Sequence, residues 1–290
     1  MESYNNNKPA IEQGWLRALL FVVLFFVILF GAGLLLNSFL PLDNKGIGNI
    51  SASQKVLIGV LMNSVIAFLM VAGFRKFVDR KSLNSLGFET NKKFPHGAVG
   101  FLAGIVLLCI ASIFLFFTKN LQWTAIHFNA KDLFLGFGLM VIVAFYEEMV
   151  FRGYLLNNLL DSVNKWTALF ITAFLFALAH TNNPGITVLA FVNIFLAGLL
   201  LGVNYIFTKN LWFAIALHFS WNFFQGPVFG YEVSGLNLQS VLTPELHGSD
   251  WLTGGKFGLE GSLLSALLYL AAIGTFAFIY QKKCAPAPPA

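Results

Sequence analysis

Charged residues and cysteines are scarce in this sequence. Only 11% of the 290 residues are charged, and a water-soluble chain of this length needs far more charge to cover its surface. The two cysteines, Cys109 and Cys284, are too few and too far apart for a disulfide framework or a cysteine-rich metal site. These shortages exclude an ordinary soluble enzyme and a small disulfide-stabilised domain.

Apolar residues are abundant instead, and they occur in long runs. They make up 57% of the chain, and runs of about twenty apolar residues, the length that crosses a bilayer, recur along it. We predict an all-α fold, a polytopic membrane helix bundle with about eight transmembrane helices. The spans are placed near residues 15–37, 56–78, 97–118, 132–157, 165–181, 186–207, 211–229 and 262–280.

The remaining segments are predicted not to span the membrane. The polar and glycine-containing stretch 231–260 is typical of a loop, and the final residues APAPPA, 285–290, are expected to form a disordered tail. The first span has too long an apolar core for a signal peptide, so we expect it to be retained. The chain therefore divides into N-terminal membrane helices (1–130), a central helical core (131–230) and a loop, last helix and tail (231–290).

Basic residues indicate the orientation of the bundle. With eight spans, most lysines and arginines fall on one side, including the cluster at 75–93, and such residues tend to stay in the cytoplasm. We therefore predict an integral protein of the plasma (inner) membrane with both termini in the cytoplasm. The cluster at 75–93 is interpreted as a topology signal in contact with lipid headgroups, and the net charge of +5 is not taken as a sign of nucleic-acid binding.

The segment YEEMVFRGYLL, 146–156, places Glu147, Glu148 and Arg152 inside a predicted span. Each ionisable group deep in a membrane helix costs about 2.5–3.5 kcal/mol on insertion scales, so three of them need compensation. Glu148 and Arg152 lie one helical turn apart and can pair, whereas Glu147 projects about 100° away, toward a neighbouring cavity. From these residues alone, a functional site and a polar clasp between helices are equally good interpretations.

Further polar residues in the following spans favour a site. FALAH begins at Phe176 and ends at His180, and HFSWN places His218 and Asn222 four residues apart, on one face of a helix. Phe176 is expected to shape the wall of the site, because its ring has no acid–base chemistry. Counting along the spans places His180 and His218 about ten ångströms apart in depth, which predicts a kinked or re-entrant helix near the segment HTNNPG.

Four motifs in this order resemble those of a known family. EEMVFR, FALAH, FLAGLLLG and HFSWN match the patterns EExxxR, FxxxH, FxxGxxxG and HxxxN/D. In the third, Gly198 and Gly202 form a small-residue ridge that lets helices approach closely. The chain is similar to the CAAX-protease and bacteriocin-processing family of intramembrane endopeptidases, also called Abi or type II CAAX prenyl protease-like. The resemblance makes 131–230 the catalytic core.

The resemblance implies hydrolysis of a peptide bond within or at the edge of the membrane. The residues fit water as the nucleophile: Glu147 is expected to act as general base with help from His180. His218 and Asn222 are expected to donate hydrogen bonds to the oxyanion. The acid–arginine pair one turn apart is expected to position the helix. The implied partners are the lipid bilayer and a membrane-anchored or prenylated peptide.

Three alternatives remain open. Glu147, His180 and His218 can also hold a zinc ion, although the chain has no HExxH motif. We prefer the metal-free mechanism, so no cofactor is expected. A catalytically silent scaffold would use the polar cluster only as a clasp, and a carrier would use it as a proton relay but would show repeat symmetry between its halves.

Overall fold

The computed structural model describes residues 8–39, 52–89 and 93–283. Cys284 and the predicted tail, 285–290, lie outside these residues. In chain order the α-helices are α1 (Gly14–Phe39), α2 (Ala52–Gly73), α3 (Lys93–Phe117), α4 (Ala130–Glu148), α5 (Asn157–Leu159), α6 (Lys165–Ala179), α7 (Val188–Val203), α8 (Tyr205–Thr208), α9 (Trp212–Phe223), α10 (Asp250–Thr253) and α11 (Leu263–Lys283). Two short strands, β1 (Leu121–Ile126) and β2 (Leu242–Leu246), pair antiparallel.

Every predicted span coincides with a helix, which confirms the polytopic helical bundle. Among the described residues, six helical stretches are long and apolar enough to cross a membrane: Gly14–Ser38, Gln54–Val78, Pro95–Phe117, Ala130–Leu159, Val188–Thr208 and Leu263–Lys283. The other two predicted spans are the shorter helices α6 and α9. The 15 residues of α6 extend over about 22 Å, which is less than the roughly 30 Å of a hydrocarbon core.

The chain breaks after α6, as predicted near HTNNPG. Helix α6 ends at Ala179, and α7 starts at Val188, where the side chain of Thr187 caps it. The difference in depth that straight, continuous spans would impose on His180 and His218 does not occur in the structure, in keeping with the predicted break. Both Nε2 atoms lie within 4 Å of one oxygen of Glu147, because the short α6 ends at the level of the site instead of crossing to the far side.

Two helices of the core change their winding next to the site. Helix α4 passes into a π-helical segment, Met149–Leu156, and α9 passes into another, Phe224–Val228. Such wider turns interrupt the regular α-helical ladder and are frequent at functional sites. The first of them begins immediately after the two acids, Glu147 and Glu148.

Small residues bring α7 close to α6. A Cβ added to Gly198 would lie 2.9 Å from the Cα of Ala173, and one added to Gly202 would overlap the side chain of Leu169. Because neither glycine has room for a side chain, the two helix backbones approach closely. This confirms the ridge predicted from Gly198 and Gly202.

As predicted, the segment 231–260 contains none of the long helices of the bundle, but it has more structure than a simple loop. It contributes β2, α10 and two 3₁₀ turns. In the register of the two strands, Leu121 faces Leu246 and Ile126 faces Leu242. The indole of Trp123 donates a hydrogen bond to the carbonyl of Phe229 at 3.2 Å. The stretch after α3 thus fastens the segment to the bundle.

A buried ionic cluster holds the start of α1 against the end of α2. Asp79, fully buried, pairs with Arg75 at 2.9 Å and with Arg17 at 3.4 Å. The contact with lipid headgroups expected for the 75–93 cluster is therefore wrong for Arg75. Its guanidinium is enclosed and neutralised within the protein.

Candidate active site

Glu148 and Arg152 form the predicted pair at the end of α4. Both are buried, and Arg152 Nη1 donates to Glu148 Oε1 at 2.9 Å. Arg152 Nη2 also donates to the carbonyl of Gly198 at 3.0 Å. The arginine therefore neutralises one acid and ties the end of α4 to the ridge of α7, so it fixes the position of both acids relative to α7.

The same carboxylate oxygen has a second partner that the sequence did not indicate. His218 Nδ1 lies 2.8 Å from Glu148 Oε1. A carboxylate oxygen accepts, so Nδ1 carries the hydrogen. The other ring nitrogen, Nε2, then lies on the side of Glu147, at 3.9 Å from its Oε2. Glu148 is thus both the partner of Arg152 and the residue that sets the tautomer and orientation of His218.

Glu147 has one bound and one available oxygen. Its Oε1 accepts from the hydroxyl of Tyr146 at 3.1 Å. Its Oε2 is buried and has no hydrogen-bond partner among the described residues. His180 Nε2 and His218 Nε2 lie 3.8 Å and 3.9 Å from that oxygen, which is too far for a direct hydrogen bond. A polar group between these three atoms would contact all of them.

His180 is fixed at the end of α6 by its own helix. Its Nδ1 lies 2.7 Å from the carbonyl oxygen of Phe176. A carbonyl only accepts, so Nδ1 carries the hydrogen and Nε2 of the neutral ring is an acceptor facing Glu147. The two acceptors, Glu147 Oε2 and His180 Nε2, are placed so that one water molecule can donate to both.

Phe176 has the packing role predicted for it. Its ring lies edge-on to Phe151, with centroids 5.1 Å apart, and contacts the ring of His180 at 4.5 Å. The guanidinium of Arg152 stacks over it, 4.5 Å from its centroid. This cation–π contact adds to the stabilisation of the buried arginine. Phe176 therefore separates the ionic pair from the side of the site where His180 lies.

The four predicted catalytic residues line one cavity of about 320 Å³. Glu147, His180, His218 and Asn222 share it with apolar residues of α1, α2 and α4. Asn222 is 5% exposed, and within the described ranges its amide forms no hydrogen bond with protein, so it is available to a ligand. The sequence patterns assigned no role to several polar residues that also line the cavity, among them Tyr146, Ser234 and Glu260.

Zinc fits this cavity in donor chemistry but not in spacing. A glutamate oxygen and two imidazole nitrogens are ordinary zinc ligands. Tetrahedral bonds of about 2.0–2.1 Å would bring the ligand atoms to about 3.3 Å from one another. In the structure, the two imidazole nitrogens lie 3.8 Å and 3.9 Å from Glu147 Oε2. In the described part of the chain, no group of three His, Cys, Asp or Glu side chains has the geometry to hold a metal ion.

Residues 129–224 match a family model described as type II CAAX prenyl endopeptidase Rce1-like. The match covers all four motifs and confirms the family predicted from them, a family of membrane proteases. Glu147, His180, His218 and Asn222 lie inside the matched segment, whereas Ser234 and Glu260 lie beyond it. A search of curated proteins gives no match.

Proposed function

We propose that this protein is an intramembrane endopeptidase that hydrolyses membrane-associated or lipid-modified peptides with a water molecule activated by Glu147 and no metal ion. The observation that carries the proposal is the unpartnered oxygen of Glu147. It is buried, lies between the Nε2 atoms of His180 and His218, and faces the cavity. Its position within the stretch matched to the protease family adds support.

Glu147 and His180 act on the water. The water donates one hydrogen to Glu147 Oε2 and the other to His180 Nε2, which leaves its lone pair directed at the substrate carbonyl. As the oxygen–carbon bond forms, the proton passes to Glu147. When the carbon–nitrogen bond breaks, the protonated Glu147 returns that proton to the leaving amine. No covalent enzyme intermediate is formed.

His218 and Asn222 stabilise the oxyanion. The amide of Asn222 is free to donate to the carbonyl oxygen, and the two residues are one turn apart on α9. Glu148 accepts the hydrogen bond from His218 Nδ1. When Nε2 is protonated as well, the ring donates from Nε2 to the oxyanion. The negative charge of Glu148 compensates for the charge of that ring. Preorganised donors of this kind are typically a large part of catalysis.

The walls of the cavity fit a substrate that comes from the membrane. Its apolar side includes Phe25 and Phe26 of α1 and Val56 and Val60 of α2. A hydrophobic or prenylated segment would pack there, while the scissile bond reaches the polar residues. We therefore infer substrates of the CAAX type or other membrane-anchored peptides, and a place in the plasma membrane.

The test is to incubate the purified protein with a library of membrane-anchored peptides and to follow cleavage by mass spectrometry. Cleavage that disappears in Glu147→Gln is the expected result. Binding without any turnover would indicate a silent scaffold, and movement of solute across vesicles would indicate a carrier. Either of these outcomes would overturn the proposal.

A further inference from the structure

Glu260 is a buried carboxylate that faces the cavity from outside the family motifs. It is 5% exposed, lies in the 3₁₀ turn Leu259–Gly261 just before α11, and lines the same cavity as Glu147. The proposed hydrolysis does not use it. Burying an ionised carboxylate costs free energy unless it is paired or hydrogen-bonded. The groups around Glu260 therefore indicate its role.

One oxygen of Glu260 is held by a strained residue. Both the backbone N–H and the hydroxyl of Ser234 donate to Glu260 Oε2, at 2.7 Å and 2.6 Å. Ser234 has a φ of 48°, which is uncommon for a residue with a side chain. Strain of this kind persists where the surrounding structure imposes it, and it concentrates at functional sites.

The backbone of Glu260 is also fixed. Asn193 of α7 donates from its amide to the carbonyls of Glu260 and Ser262, both at 2.7 Å. The helix that carries the glycine ridge therefore positions this turn. The carboxylate is anchored through its side chain and its main chain, and it cannot swing freely out of the cavity wall.

The other oxygen of Glu260 is available, and no permanently charged cation of the cavity lining is there to neutralise it. In the described part of the chain, Oε1 receives no hydrogen bond, and the cavity lining contains two carboxylates but no lysine or arginine. Burial raises the pKa of Glu260 above its ordinary value, an effect that the hydrogen bonds from Ser234 oppose. A cation beside Oε1 would favour the ionised form.

We propose that Glu260 is a specificity-determining residue that binds a lysine or arginine side chain of the substrate peptide close to the scissile bond. Glu260 and Glu147 line one cavity of about 320 Å³, so a side chain held by the first lies near the bond attacked at the second. This inference rests on the proposed function. The free Oε1 of Glu260 would form a charge-assisted hydrogen bond with the cation.

Binding measured without hydrolysis separates this inference from the proposed function. The probes are palmitoylated, fluorescent hexapeptides that carry lysine, arginine, N-acetyl-lysine or norleucine at one position. They are titrated in detergent micelles with Glu147→Gln, in which Glu260 is the remaining carboxylate of the cavity lining. For at least one position, the lysine or arginine peptide should bind about tenfold or more tightly than the N-acetyl-lysine peptide, as expected for a hydrogen bond to a charged group.

The preference for charge should depend on Glu260. Adding Glu260→Gln to Glu147→Gln should make the charged peptide and the N-acetyl-lysine peptide bind about equally, so that the ratio of their affinities falls to about one. The norleucine peptide should bind as before, because only the hydrogen bond to the charged group is lost. Adding Glu245→Gln, an exposed carboxylate on β2, should leave the ratio unchanged. If Glu260→Gln does not fold, Ser234→Ala replaces it and should reduce the ratio.

Three results would overturn the inference: equal binding of all peptides, a ratio that survives the substitution, or equal losses for the lysine and norleucine peptides. A wild-type protein that binds with this preference but cleaves nothing would count against the proposed function alone.

Discussion

Glu148 Oε1 lies 2.8 Å from His218 Nδ1, so a buried acid at the end of α4 contacts a residue of α9 that lines the cavity. The same oxygen accepts from Arg152. From sequence, Glu148 is only a partner for the arginine, and its loss would affect stability alone. The structure instead joins the ionic pair to His218, for which we propose oxyanion stabilisation, and this changes what its substitution should do.

Glu148→Gln should lower both stability and turnover. The unpaired Arg152 destabilises the bundle, and His218 loses the charge that compensates its second proton, so kcat should fall about tenfold or more. Thermal unfolding in detergent and peptide turnover measure the two effects, with Glu245→Gln as the exposed control. Arg152→Leu should reduce stability, by about 3–5 kcal/mol as for other broken buried pairs. If Glu148→Gln lowered stability but left kcat intact, its contact with His218 would have no catalytic role.

His218→Ala and Asn222→Ala should each lower kcat about 10²–10³-fold, the loss expected for one oxyanion donor. Peptide affinity should change much less, because these donors act on charge that appears in the transition state. Turnover and direct binding, measured on the same cleaved peptide, separate the two quantities. A loss of affinity as large as the loss of kcat would place both residues in ground-state binding.

Zinc dependence should be absent. Chelators should leave turnover unchanged, and elemental analysis of the purified protein should find well under one zinc per chain. A zinc enzyme would behave differently: His180→Ala and His218→Ala would each release the metal, and added Zn²⁺ would restore activity after chelation. If one tightly held zinc ion per chain were lost and regained together with activity, the metal-free mechanism would be wrong. A zinc-dependent mechanism that uses the same residues would replace it.

The orientation can be tested with single cysteines. In a Cys109→Ala, Cys284→Ala background, Arg80→Cys should be protected and Glu245→Cys reactive toward an impermeant thiol reagent in intact cells. Positions 80 and 245 are both exposed in the structure, so a difference in labelling reports the side of the membrane. Reactivity at 80 with protection at 245 would reverse the predicted orientation without affecting the site.

Short-range patterns in the sequence predicted the features that depend on residues close together in the chain. Long apolar runs predicted the positions of the bundle helices in the described part of the chain, because a helix that crosses lipid requires such a run. The spacing of Glu148 and Arg152 predicted their pair, and Gly198 with Gly202 predicted a close helix contact. Each of these features follows from residues within one or two turns of a helix.

The missed features depend on contacts between distant segments. The hydrogen bond between Glu148 and His218 joins α4 to α9, and β1 pairs with a strand more than a hundred residues later. Glu260 reaches the cavity only because Asn193 and Ser234 hold its turn there.

Turnover of a membrane-anchored peptide by wild type and Glu147→Gln tests the central claim most directly. Glutamine keeps the shape of Glu147 and its bond to Tyr146, but it cannot accept the proton of the attacking water. We expect no detectable cleavage by Glu147→Gln, with a melting temperature close to that of wild type, while Glu245→Gln retains full turnover. Cleavage at the wild-type rate by folded Glu147→Gln would contradict the account.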